Sequence, residues 1–232
     1  MTQTFLSQGI SCCSGQQKKL EASVSQNEIA KVYDALAKFY DIWGNLTESR
    51  ARSRALELAE IKNGLNILEV AVGTGLAFYE IVKRNPDGTN IGIDISAGML
   101  KKAEKRLSQL SEATYELKKA SAFNLEGEDE KFDVLMNNYM FDLIPFDQMD
   151  AVLAEFKRVL KKGGKLILVN MTSGEKFGSG VYDLIYRVSP RLMGGCRGIR
   201  LSEKLKEHGF HVKLREYHQQ CLFPSEVILA QK

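Results

Sequence analysis

Between Asn66 and Val169 short apolar runs alternate with amphipathic stretches, and no other feature limits the fold as tightly. Ile67 to Ala71, Ile91 to Asp94, Tyr115 to Leu117, Phe132 to Asn137 and Leu166 to Val169 are of strand length, too short for helices. The stretches between them carry apolar residues at helical steps. Leu76, Tyr79, Ile81 and Val82 form one such set, stopped before Asn85-Pro86. Met99, Leu100, Ala103, Leu107 and Leu110 form a second, with Ser96 placed as its cap. Met149, Val152, Leu153, Phe156, Val159 and Leu160 form a third, stopped by Lys162-Gly163-Gly164. Strands separated by helices join through right-handed crossovers, so the sheet is mostly parallel with helices on both faces. His211 to Tyr217 and Glu226 to Ala230 have no room for a helix between them and predict an antiparallel hairpin turning at Pro224. The expected fold class is α/β, a seven-stranded mostly parallel sheet with an antiparallel C-terminal hairpin.

The flanks differ in character. Residues 1–24 are rich in Ser and Gln and read as a flexible arm. Ser25-Gln26-Asn27-Glu28 matches a capping box, followed by Ile29, Val32, Tyr33, Leu36, Phe39, Tyr40 and Trp43 on one helical face. A second helix is expected from Thr47 to before Asn63-Gly64, so 25–63 forms a helical cap on a single domain spanning 25–232. Residues 171–200 are Gly-rich around an amphipathic piece, Val181 to Val188, and read as a lid insertion; a short helix from Ser202 to His208 follows.

Composition removes several classes of function. Lys plus Arg number 32 against 29 Asp plus Glu, a net charge of +3 with no basic stripe for nucleic acid. No apolar run approaches the roughly 18 residues a membrane span needs, and no apolar leader opens the chain, so the expected address is cytoplasmic. The cysteines at 12, 13, 196 and 221 suit neither a zinc site nor a disulfide framework, and no metal site is expected. The vicinal pair Cys12-Cys13 lies in the polar arm, without a glycine after Met1 to support a lipid anchor. No required protein partner is readable.

Chemistry concentrates where the strands end. Glu69-Val70-Ala71-Val72-Gly73-Thr74-Gly75 closes the first strand with glycines that let a ligand approach the backbone. Asp94 ends the second strand 19 positions after Gly75, the spacing of a carboxylate that accepts from both hydroxyls of a ribose. Its bland alternative is to cap the helix starting at Ser96. Phe78 stands where a nicotinamide-binding motif has its third glycine, and no Lys-Ser or Lys-Thr follows to make a phosphate-binding loop.

Glu69 to Gly75, Asp94, the seven strands and the terminal hairpin together resemble a class I S-adenosylmethionine-dependent methyltransferase, with its Rossmann-like sheet. Tyr33-Asp34, Tyr40-Asp41-Ile42-Trp43 and Leu68 to Gly75 resemble the ubiquinone/menaquinone-biosynthesis branch in particular. The resemblance covers residues 28–170 well and 200–232 in outline. It implies S-adenosylmethionine as cofactor and a small-molecule or lipid-head-group acceptor. Glu69 would meet the amino end of the methionine moiety, with Ala71, Gly73 and Gly75 against the cofactor. Asp94 would hold the ribose, Ile95 and Met99 would flank the adenine, and Ser121, Ala122 and Phe123 would lie beside it. Asn138 and Tyr139 would face the methionine end. Two positions depart from the family pattern: Ala71 replaces a glycine, which its small size accommodates, and Ser121 replaces a common acidic residue.

Methyl transfer from a sulfonium relies on in-line positioning and exclusion of water. Tyr33 and Tyr40 share a helix face that could cover the sulfonium with aromatic rings, although burial asks for the same spacing. Asp142, after the fourth strand, is a candidate base or orienter, or else a helix cap. Tyr40, Tyr139 and Asp142 are thus the candidate catalytic residues. Arg191, Arg197 and Arg200 around the lid glycines could grip an anionic acceptor, or form a solvated basic turn. His208 and His211 read as surface residues. A nicotinamide oxidoreductase and a non-catalytic cofactor-binding module remain the alternatives.

Overall fold

The computed structural model describes residues 41–42, 44–110, 113–175 and 197–232. The N-terminal arm, the capping box, Tyr33, Tyr40, Trp43, the 181–188 piece, Arg191 and Cys12, Cys13 and Cys196 lie outside the described residues.

The elements are α1 (Ser49–Ala59), β1 (Asn66–Val70), α2 (Leu76–Arg84), β2 (Thr89–Asp94), α3 (Ala97–Leu107), β3 (Glu116–Lys119) and β4 (Phe132–Asn138). A 3₁₀ turn (Phe141–Leu143), α4 (Met149–Val159), β5 (Leu160–Met171), α5 (Ser202–Glu207), β6 (His211–Gln220) and β7 (Phe223–Gln231) follow. The seven strands lie in the order β3-β2-β1-β4-β5-β7-β6. Every pair is parallel from β3 to β5, and β7 runs antiparallel to both its neighbours. The expected fold class is the observed one.

Strand alternation supplies two cores. Leu68, Val70, Leu135, Leu166 and Leu168 point to the face covered by Val152, Leu153 and Phe156 of α4 and Leu205 of α5. Ile67, Val134, Met136, Ile167 and Val169 point to the other, covered by Ala51 and Ala55 of α1, Phe78 and Ile81 of α2 and Ala103 and Leu107 of α3. Gly92 is required by this packing, because a Cβ there would lie 2.8 Å from Val72 Cγ1 and 3.0 Å from Phe78 Cε1. Asn85 ends α2 as a buried staple: its Oδ1 accepts from Gly64 N at 2.7 Å and Leu65 N at 3.1 Å, and its Nδ2 donates to Asn90 Oδ1.

Two boundaries differ from expectation. Helix α4 ends at Val159 and β5 begins at once, so Lys162-Gly163-Gly164 lies within the strand. The glycines serve a register shift against β4 there, and Gly163 takes a left-handed φ of 76°. The hairpin turns at Cys221-Leu222, with Pro224 inside β7. Pro224 lies just beyond the last β5–β7 pair, Met171 with Ser225, at the fraying end of the ladder, where its carbonyl still accepts from Thr172 N at 3.0 Å. No helix among the described residues is long and apolar enough to cross a membrane.

Candidate active site

A cleft of about 780 Å³, its open mouth included, lies beyond the C-terminal ends of β1, β2 and β4. That is where a doubly wound sheet binds ligands. Its wall contains Ala71, Gly73, Asp94, Ile95, Met99, Ser121, Ala122, Phe123, Asn138 and Tyr139, all named from the sequence. Gly75, Glu69 and Asp142 are not part of the wall.

The loop after β1 is held in a demanding conformation. Ala71, Gly73 and Gly75 have φ of 62°, 56° and 79°. Size is therefore not what matters at Ala71, since a left-handed φ costs an L-residue roughly 1–2 kcal/mol that glycine avoids. Gly75 also lets α2 approach α3, because a Cβ would sit 3.0 Å from Ala103. Hydrogen bonds from several directions fix the loop: Val72 N to Ile93 O at 3.0 Å, Gly75 N to Val72 O at 2.9 Å, and Gly73 N to Asp94 Oδ2 at 2.8 Å. From outside, Arg106 Nε donates to Thr74 O at 2.9 Å, while the Thr74 hydroxyl and Arg106 Nη2 both donate to Asp41. That outer clamp has no local sequence signal, because Asp41, Thr74 and Arg106 come from three distant segments.

Asp94 fixes the start of α3 and also lines the cleft. Its Oδ1 accepts from Ser96 N at 2.9 Å, fixing the start of α3, while Oδ2 holds Gly73, and the carboxylate lines the cleft. Ser96 caps α3 as expected, accepting from Met99 N at 3.0 Å. The Ser121 hydroxyl accepts from Phe123 N at 3.3 Å.

Beneath the loop Glu69 is only 1% exposed. Asn138 Nδ2 donates to its Oε1 at 2.9 Å, while Oε2 is buried without a hydrogen bond. Burial pushes this carboxyl up to about 8, against the opposing pull of Asn138 and the Arg52 charge. Asn137 Nδ2 ties β4 to β1 through Val70 O at 2.8 Å.

The candidate catalytic side chains are placed differently from one another. Tyr139, with φ 52°, has its hydroxyl 2.8 Å from Ser225 Oγ and its ring against Phe223. Burial raises that phenol well above its ordinary range, so it stays protonated. Asp142 is fully buried in the 3₁₀ turn, outside the cleft wall. Arg197 corrects the expectation of a rim arginine: it is 0% exposed, with Nη1 donating to Asp142 O at 3.0 Å and Nη2 to Ile144 O. Its cation also lies 4.6 Å from the Phe146 ring centroid. Together with its own backbone N–H, which donates to Asp142 O at 3.3 Å, the guanidinium secures the 142–146 turn instead of reaching for solvent. Arg200 pairs with Glu175 at 3.3 Å.

Val70, Ile93 and Ala120 also line the cleft, and Met140, Leu143 and Ile144 close its remaining side and were missed. The apolar residues that continue past the end of β4 were the available signal.

The chain matches the family described as Methyltransferase domain over residues 67–164. It is 30% identical over 151 residues to a phosphatidylethanolamine N-methyltransferase of Cereibacter sphaeroides, covering 62% of this chain and 71% of that protein. It is 31% identical over 162 residues to a demethylmenaquinone methyltransferase of Thermus thermophilus, covering 70% of each. Among solved structures, the [4+2]-cyclase SpnF superposes with a TM-score of 0.71 at 16% identity, over 91% of this chain and 97% of that one, which shows the shared fold. A strand-loop-helix cleft of this construction and these sequence relatives agree: the chain belongs to the class I S-adenosylmethionine-dependent methyltransferases.

Proposed function

We propose that this enzyme moves a methyl group from S-adenosylmethionine to a small amphiphilic or lipid-like acceptor, working from the cytoplasm within one domain over 25–232. One observation supports the reading: the Asp94 carboxylate lines a cleft beyond the ends of β1, β2 and β4, and the buried Glu69 carboxyl lies close by, bonded to the wall residue Asn138. Asp94 lines the cleft at the end of β2, where it would hold the ribose hydroxyls. Glu69 keeps a buried Oε2 without a hydrogen bond, and the donor's ammonium would supply the missing partner. Ile95, Met99, Ala122 and Phe123 would enclose the adenine, and Ser121 would meet its edge. The bound sulfonium supplies an electrophilic methyl group.

The chain's own contribution is alignment and dryness. Met140, Leu143 and Ile144 give the acceptor end an apolar wall. Tyr139 serves as a positioning residue, since its hydroxyl is engaged by Ser225 and remains protonated. Asp142 orients its turn through the bond its carbonyl accepts from Arg197. Tyr33 and Tyr40 are assigned to the cover of the methyl donor; Asp41, the residue after Tyr40, is fixed to the glycine loop. Relatives named for methylating phosphatidylethanolamine and demethylmenaquinone favour an acceptor with a long apolar part.

Calorimetric titration with S-adenosylmethionine, S-adenosylhomocysteine and NADH tests the reading. Both sulfur compounds should bind, and Asp94→Ala should weaken them by roughly 1–3 kcal/mol. Binding of NADH alone would refute it in favour of the nicotinamide alternative.

A further inference from the structure

Among the described residues three large hydrophobic side chains stand exposed: Ile42 at 63%, Leu46 at 56% and Leu222 at 47%. They fall on one edge of the molecule. Ile42 and Leu46 are four residues apart on helical backbone and so share a face. The segment starts beside the glycine loop, because Asp41 accepts from Thr74. Leu222 tips the β6–β7 hairpin. Since β6 and β5 are both antiparallel to β7, they run the same way, and the tip emerges at the C-terminal edge of the parallel strands. Gln220 joins the two places, accepting from Arg50 N at 2.9 Å and donating to Asn45 O at 3.2 Å. The cleft opens along this same edge.

The tip is also strained. A two-residue hairpin loop that takes positive φ at both positions is best served by Asn-Gly. Here Cys221 and Leu222 take φ of 49° and 64°. A leucine held left-handed with nearly half its surface in water opposes both backbone preference and burial, which directs attention to function.

Three aliphatic side chains, none fully exposed, fall far short of the roughly 800 Å² per partner that a stable protein interface buries. They sit on separate protrusions, an arrangement that suits a bilayer, where single aliphatic tips pass between headgroups without shape matching. Arg50 is exposed beside them and makes no ion pair among the described residues, whereas the nearby carboxylate of Asp41 is taken by Arg106 at 2.7 Å. A cation among aliphatic tips favours anionic lipid.

We propose that this edge docks on an anionic lipid bilayer, so that the cleft mouth faces the membrane that holds the acceptor. The proposal rests on the reading of an amphiphilic acceptor. Its test needs neither donor nor acceptor: co-sedimentation of the full chain with phosphatidylcholine vesicles, with and without phosphatidylglycerol. The wild type should sediment with vesicles containing phosphatidylglycerol. Leu222→Asp, and Ile42→Asp with Leu46→Asp, should each cut the bound fraction at least about fivefold. Arg50→Gln should remove the gain that phosphatidylglycerol brings. The double variant Cys221→Asn with Leu222→Gly separates docking from folding, because it should raise the Tm while losing vesicle binding. S-adenosylhomocysteine affinity, measured in parallel, should be unchanged throughout and reports on the cofactor reading alone. A wild type that stays in the supernatant with both vesicles, or variants that sediment as it does, overturns the proposal. So does a dimer that depends on Leu222 in light scattering, which would give the edge to a second copy.

Discussion

Replacing Glu69 by Gln should flatten the pH dependence of stability. The carboxyl titrates near 4.5 when the chain is unfolded and at about 8 when buried in the native protein. Between those values the folded protein keeps a proton that the unfolded chain has released. Stability therefore falls as pH rises, by about 1.4 kcal/mol per pH unit for this group. The full contribution is present below the unfolded value and gone above the folded one, a total of about 5 kcal/mol. Between about pH 6 and about pH 9 the loss is about 3 kcal/mol. Gln keeps an acceptor for Asn138 Nδ2 but has no proton to lose. Urea unfolding of both proteins at several pH values across that window measures the difference directly, provided the m values match. Burial also raises the carboxyl of Glu226, but that residue is common to both proteins and cancels. The stability of Glu69→Gln should gain on the wild type by about 3 kcal/mol across the window. Curves that stay parallel from end to end would refute the argument that the buried Glu69 carboxyl is protonated in the native protein. The same ionisation predicts that S-adenosylhomocysteine binds the wild type more tightly as pH rises toward 8, while the variant binds weakly at every pH.

Two further substitutions probe the frame around the cleft. Gly88→Ala would place a Cβ 2.2 Å from Asn85 Oδ1 and 2.4 Å from Leu65 O, and should destabilise the fold as measured by urea unfolding. The expected loss is about 2–3 kcal/mol, with cofactor-analogue binding intact at low temperature. Arg106→Gln frees the outside of the glycine loop and should weaken S-adenosylhomocysteine about tenfold in calorimetry. Asp41→Asn should do the same, and the double variant should be little worse than either.

Alternation of short apolar runs with helical stripes was enough to place every strand, because those signals are local. Asp94 and the glycines were legible for the same reason: a backbone that must admit a ligand needs glycine at fixed places along a strand-to-helix turn. The hairpin turn was misplaced because Pro224 is conspicuous, whereas a turn made of Cys221 and Leu222 carries none of the usual residues. Lys162-Gly163-Gly164 misled in a related way, since glycine marks a strand irregularity as readily as a helix end. The fate of Arg197 was beyond sequence reasoning. Its partners are the carbonyls of Asp142 and Ile144, and backbone oxygens look alike at every position. The clamp on Thr74 was hidden because its parts lie 33 and 32 positions away in the chain.

The place of β7 has a bearing on how the chain is made. It follows β6 in sequence yet lies inside it, between β5 and β6. The flank of β5 stays uncovered until β7 arrives, because β6 makes no pair with it. A strand whose flank waits open is the kind of intermediate that aggregates. Closure of the sheet is thus a late, single event in which β7 pairs with β5 and β6 together.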